Sequence, residues 1–81
     1  MRQSGRNTLY EADYAVLNAM EPQGLYRMWT TAELAAMLQD DPTIIAYRLR
    51  KLGRAGFVRS RRSDGRWMLR EAAMRRSTVQ Q

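Results

Sequence analysis

Residues 41–58 of this 81-residue chain read DPTIIAYRLRKLGRAGFV. Within this stretch Ile45, Leu49 and Leu52 recur at steps of four and three, which is the spacing that places side chains on one face of an α-helix. The period predicts a helix from Pro42 to about Ala55, with these three side chains turned into the core.

The two ends and the outer face of this helix can also be predicted. Asp41 is suited to accept a hydrogen bond from the first turn, and Pro42 fits that turn because its missing N–H would have no helical partner there. Gly56 supplies the left-handed residue with which helices often end. The face opposite the buried stripe is predicted to present Thr43, Ala46, Tyr47, Arg50, Lys51 and Arg54.

Beyond Gly56 the apolar residues follow the period of a strand. Residues 57–61 and 66–70 are two short runs with partial alternation, and Arg62-Ser63-Asp64-Gly65 lies between them. Asp-Gly is among the strongest short signals for a hairpin turn. The sequence therefore predicts an antiparallel ribbon of two strands, with either a third short strand or a core-filling loop near residues 25–29.

Two further helices are predicted upstream, each from a threonine followed three residues later by a glutamate. Thr8 with Glu11, and Thr30 with Glu33, fit the capping box. In this motif the side chain of each residue accepts a hydrogen bond from the backbone N–H of the other. The two helices are expected over residues 9–20 and residues 31–39. Their expected inward side chains are Leu9, Ala12, Val16, Ala19 and Met20 in the first, and Leu34, Ala35 and Leu38 in the second.

The chain is long enough for one domain, which we place at residues 8–70. Residues 1–7 are predicted to form a flexible arm, and residues 71–81 a short helix or tail. The absence of cysteine excludes a disulfide scaffold, and the absence of histidine removes the commonest metal ligand and general base. No apolar run approaches the roughly 18 residues of a membrane span. We therefore expect no enzyme activity, no metal or other cofactor and no membrane anchor.

Charge is distributed unevenly along the sequence. Residues 1–42 hold three basic and six acidic side chains, a balance of −3, whereas residues 43–70 hold nine basic and one acidic, a balance of +8. Eight of those nine are arginine, the residue suited to bidentate contacts with phosphate and guanine. A solvated surface is one explanation, but so strong an asymmetry usually indicates a polyanionic partner.

The order of helix, short strand, helix, tight turn, helix and basic hairpin resembles that of the winged helix-turn-helix family of DNA-binding domains. The residues that carry the resemblance are 29–35, WTTAELA, and 45–58, with a branched apolar residue followed by leucines four and seven positions later. The match covers roughly residues 9–70 and is similar to small prokaryotic repressors. It implies a mainly α fold of three helices, with a wing of two or three strands near residues 25–29, 57–61 and 66–70.

The resemblance also implies a site on the third helix and on the wing. A helix fits the major groove of B-DNA, and its N-terminal half meets the base edges. On the helix, the expected DNA contacts are Thr43, Ala46, Tyr47, Arg50, Lys51 and Arg54. On the wing, the side chains expected to reach phosphates or the adjacent minor groove are Arg59, Arg61, Arg62 and Arg66. Arg48, beside the buried stripe, is expected to meet a phosphate or an acid of an earlier helix.

These expectations describe a sequence-specific regulator of transcription that binds double-stranded DNA as a homodimer and senses no small molecule. We expect it in the cytoplasm, associated with the nucleoid, in a prokaryote or encoded by a phage or plasmid. Two alternatives stay open. A winged helix can instead dock on another protein as an inhibitor or subunit of a larger complex. The same basic surface is also compatible with RNA or a Z-form duplex.

Overall fold

The computed structural model describes residues 8–79 of the chain, and its side chains as far as residue 75. These residues form four α-helices and one hairpin: α1 Glu11–Met20, α2 Thr31–Leu38, α3 Pro42–Arg54, β1 Val58–Ser60, β2 Trp67–Leu69 and α4 Glu71–Val79. The two strands pair antiparallel, with Val58 opposite Leu69. The prediction of a mainly helical fold with a small hairpin is confirmed, whereas the predicted arm over residues 1–7 lies outside the described residues.

The helix α3 is the centre of the fold and follows the sequence-based prediction. Ile45, Leu49 and Leu52 are each at most 1% exposed, and α3 packs on α1, α2 and β1. Asp41 caps it by accepting the N–H of Thr43 at 2.7 Å. Its last turn leads into Gly56, whose φ of 89° is the left-handed conformation that glycine adopts without a steric penalty.

The helix α2 has the predicted capping box at its start. The Thr30 hydroxyl accepts the N–H of Glu33 at 3.0 Å, and the Glu33 carboxylate accepts the N–H of Thr30 at 2.8 Å. The hydrogen bond from the Thr30 backbone, with the charge of Arg27, holds the pKa of Glu33 below its ordinary value. Since both capping partners are close in sequence, this helix start could be predicted without knowledge of the tertiary fold.

The start and the inward face of α1 differ from the prediction. Tyr10 rather than Thr8 is the N-cap, and its N–H is bound at 2.8 Å by Asp13 instead of Glu11. The fully buried face consists of Asp13, Val16, Leu17 and Met20. Of the side chains expected inward, Ala12 is exposed and Leu9 and Ala19 are half-buried. Asp13 lies on this buried face because its carboxylate is paired with Lys51 and Arg48 of α3.

Of the two alternatives left open near residues 25–29, the third strand is wrong: the segment is a loop with a single bridge to the hairpin. Trp29 and Trp67 exchange two backbone hydrogen bonds of 2.8 Å. Trp29 is only 3% exposed and belongs to the core, whereas Tyr26 in the same stretch is exposed. At the other end of the chain, α4 continues to Val79, beyond the two turns expected there. Among the described residues, no helix has the length and apolar character needed to cross a membrane.

Candidate nucleic-acid interface

One side of α3 faces solvent and carries most of the predicted contacts. Thr43, Tyr47, Arg50 and Arg54 are all exposed, and their spacing places them within about 60° of one another around the helix axis. Ala46 is half-buried at the border of this face. The structure therefore brings five of the six predicted α3 residues together on one surface.

Lys51 is the exception, and the prediction that it lies on the outer face is wrong. Its side chain is only 5% exposed, and its ammonium donates to Asp13 at 2.8 Å and to the Thr8 carbonyl at 3.2 Å. The same ammonium lies 5.0 Å from the ring centre of Tyr10 and 5.3 Å from that of Tyr47. A buried ammonium is stable only with such partners. Lys51 therefore ties α1 to α3 and supports the Tyr47 ring from behind.

Asp13 is the buried acid that receives these contacts. Burial by itself raises the pKa of the Asp13 carboxyl, but hydrogen bonds from Lys51 and the Tyr10 backbone, with the charges of Lys51 and Arg48, bring it below the ordinary value. Arg48 lies 3.5 Å from the carboxylate, so the expectation that Arg48 meets an acid of an earlier helix is confirmed. Asp13 is thus an anion that offsets two cations of α3 inside the molecule.

The hairpin places its arginines by strand alternation. Val58 and Leu69 are buried against the core. Because successive side chains of a strand point to opposite faces, their neighbours Arg59, Met68 and Arg70 lie on the outer face of the hairpin. Arg59 and Arg70 are exposed and have no acidic partner among the described residues. Arg70 was not predicted as a site residue, although its position two residues after Met68 is a signal that could have identified it.

Two of the four predicted wing arginines, Arg61 and Arg66, are paired with Asp64 in the turn. The Asp64 carboxylate accepts the Arg61 Nε–H at 3.0 Å and the Arg66 backbone N–H at 3.1 Å, and it lies 3.4 Å from the Arg66 guanidinium. The hydrogen bonds from Arg61 and then from the Arg66 backbone lower the pKa of Asp64 to about 2. Arg62, between them, is exposed and has no ion-pair partner in the described part of the chain.

The outer face of α3 and the hairpin meet at a shared cleft. This α3–hairpin cleft has a volume of about 410 Å³, and four arginines line it: Arg50, Arg54, Arg59 and Arg70. Gly53 and Trp67 also line it; a Cβ on Gly53 would lie 3.7 Å from the Trp67 ring. No acidic side chain is among its lining residues, and within residues 8–79 none of the four arginines forms an ion pair. Uncompensated guanidinium groups around one cleft are an arrangement that binds anions, and phosphate above all.

The described residues contain no group of three or more acidic side chains placed to hold a metal ion. Comparisons with known proteins gave no match: no family model matches the chain, and no curated protein or solved structure is significantly similar to it. The function is therefore inferred from the site itself.

Proposed function

We propose that this chain is a winged helix-turn-helix domain that binds double-stranded DNA. In this proposal α3 enters the major groove and the hairpin is the wing. The observation that carries the proposal is the α3–hairpin cleft, in which arginines of two elements face one space without an acid. A phosphodiester backbone supplies the regular negative charge that such a cleft requires.

The dimensions and side chains of α3 support base contact. Its 13 residues span about 20 Å, and a helix of this width fits the major groove. Thr43 and Tyr47 offer hydroxyl groups in the N-terminal half, and the Ala46 methyl suits a thymine methyl. Arg50, one turn further, can bind guanine through two parallel hydrogen bonds. Arg54 lies near the C-terminus, where a phosphate contact is the better fit.

The hairpin supports contact with the backbone beside the groove. Arg59 and Arg70 share the cleft with Arg54, and Arg62 extends from the turn toward a phosphate or the minor groove. Arg61 and Arg66 contribute less than the sequence suggested, because Asp64 already offsets part of their charge.

Sequence specificity, a role in transcription and homodimer formation are further parts of the proposal. A single small domain covers only about 600–1,000 Å² of DNA, so pairing on two half-sites is the expected route to high affinity. We expect the protein in the cytoplasm with the nucleoid, without enzyme activity.

The deciding experiment is selection of bound sequences from a random duplex pool. Enrichment of a palindrome would support specific binding to B-DNA by a dimer. Retention of all sequences alike would leave a backbone binder without specificity. If the protein binds no duplex at low salt, the proposal is wrong and docking on another protein takes its place; preference for an RNA duplex would equally replace DNA as the ligand.

A further inference from the structure

A second cleft lies on the outer side of the hairpin, between the loop that precedes α2 and the start of α4. It has a volume of about 470 Å³, and we call it the outer cleft. Apolar side chains form much of its lining, among them Leu25, Tyr26, Met68 and Ala72. Tyr26 is 89% exposed, so a large aromatic ring stands beside this cleft with most of its surface in solvent.

The outer cleft is also positively charged. Arg59, Arg70 and Arg75 line it, together with one acid, Glu71. Glu71 lies 3.5 Å from Arg75 and offsets that charge. Arg59 and Arg70 have no acidic partner among the described residues, so two free guanidinium groups border an apolar surface.

This combination restricts what can occupy the cleft. A second copy of the chain docked through the same cleft would bring the arginines of both copies together, and like charges across an interface are unfavourable. A DNA duplex contacts proteins mainly through its charged backbone and sugar, and would leave the apolar part of the lining unused. The fitting ligand combines an apolar side chain with neighbouring carboxylates.

We infer that the outer cleft binds an acidic segment of another protein, with an apolar anchor between the carboxylates. The anchor packs on Leu25 and Met68, since methionine adapts to side chains of varied shape, and the Tyr26 ring covers it from the side. The carboxylates bind Arg59 and Arg70, whose guanidinium groups fit them through paired hydrogen bonds.

The position of the cleft gives this partner a regulatory effect on DNA binding. Arg59 and Arg70 line both the outer cleft and the α3–hairpin cleft. A carboxylate bound to them withdraws their charge from a phosphate, so the acidic segment and the duplex compete. This second step depends on the proposed function, whereas binding of the acidic segment does not.

The test uses the full chain and a fluorescent probe, the capped peptide Glu-Glu-Leu-Phe-Glu-Glu, with its Gln-Gln-Leu-Phe-Gln-Gln counterpart as control. We expect the acidic peptide to bind, and Arg59→Gln to weaken it about tenfold, the loss of one charge-assisted contact. Tyr26→Ala should also weaken it severalfold, because the ring no longer covers the anchor. Arg62→Gln, which removes an arginine outside this cleft, should leave peptide affinity unchanged. Thermal unfolding checks that each variant is folded.

Equal binding of the glutamine peptide, or wild-type peptide affinity in Tyr26→Ala, would overturn the inference. So would a single-stranded oligonucleotide that binds in a Tyr26-dependent manner and displaces the peptide, since the ligand would then be nucleic acid. The two proposals fail separately. Tyr26→Ala should keep duplex affinity and weaken peptide binding, while Arg54→Gln should weaken duplex binding and keep peptide affinity. Competition between peptide and duplex in the wild type, which should need severalfold more peptide in Tyr26→Ala, tests the regulatory step.

Discussion

At the scale of single residues, the contact between Lys51 and Asp13 joins α1 to α3 and holds the Lys51 ammonium near the Tyr47 ring. Either charge alone in the core is unfavourable, whereas a buried pair replaced by apolar side chains is often tolerated. We therefore predict that Lys51→Met and Asp13→Leu each lower the free energy of unfolding by about 3–5 kcal/mol. The double variant should recover most of that loss, because Arg48 is close enough to solvent to be hydrated. Urea unfolding of the four proteins measures the coupling.

The same comparison separates stability from binding. If Lys51 contacted phosphate directly, Lys51→Met would weaken binding to DNA without an effect on unfolding. We instead expect Lys51→Met to lower the free energy of unfolding, and to weaken DNA binding only as far as it reduces the fraction of folded protein. Additive destabilisation in the double variant would contradict the buried pair.

Arg50 and Tyr47 are the residues for which base recognition is predicted. Both are exposed, so Arg50→Ala should change the free energy of unfolding by only about 0.5 kcal/mol. Tyr47→Ala should lower it by about 1 kcal/mol, because it also removes the ring beside the Lys51 ammonium. On the selected duplex, Arg50→Ala should cost about 1–3 kcal/mol of binding and remove discrimination at one base pair. Fluorescence anisotropy with matched duplexes measures both effects.

The control for this prediction is Arg50→Lys, which keeps the charge but cannot form the paired hydrogen bonds with guanine. It should retain binding to random duplexes and still lose the discrimination. Wild-type affinity of both alanine variants on the selected duplex would remove α3 as the reading element.

At the scale of elements, predictability from the sequence depends on how far apart the deciding residues are. The capping box of α2 and the Asp41 cap of α3 involve neighbours, and the buried stripe of α3 is a local period; all three could be predicted. The start of α1 could not, because Asp13 is held by Lys51, and the Lys51 ammonium itself binds Thr8, 43 positions away. The burial of Lys51 was missed for the same reason, since the period of α3 alone places it near the outer face.

The hairpin turn is an element whose stability should depend on pH through Asp64. Its folded pKa of about 2 lies below the ordinary value of 3.8, so its contribution is fully present above about pH 4 and is lost as the pH falls toward 2. We predict that the backbone amide signals of Gly65 and Arg66 in NMR spectra stay constant from pH 7 to about 4 and shift below it.

Asp64→Asn is the matched control for the turn, because it keeps the shape of the side chain and removes the charge. In that variant the two amide signals should show little of the acid shift. A shift of the same size in Asp64→Asn would mean that another group titrates at the turn.

At the scale of the whole molecule, the positive charge available for a duplex is smaller than the sequence count suggests, because ion pairs within the fold offset part of it. Of the cations expected at the interface, Lys51 is buried with Asp13, and Arg61 and Arg66 share Asp64. The arginines without an acidic partner in the described part of the chain that face the proposed interface are Arg50, Arg54, Arg59, Arg62 and Arg70. Since Arg50 is assigned to guanine, the other four predict a slope of about −3 to −4 in log affinity against log salt concentration, per protomer.

Asp64→Asn should increase the positive charge available for a duplex, since it frees Arg61 and Arg66 at the tip of the hairpin from their ion pairs. If both then reach phosphates, the salt slope should become steeper by about 1 to 2, and affinity for random duplexes should rise at low salt. Arg62→Gln should make the slope shallower by about 1. If the slope is unchanged in Asp64→Asn but becomes shallower in Arg62→Gln, then Arg62 contacts the duplex and Arg61 and Arg66 do not. A slope near zero in the wild type would mean that the arginines of the cleft do not bind phosphate at all.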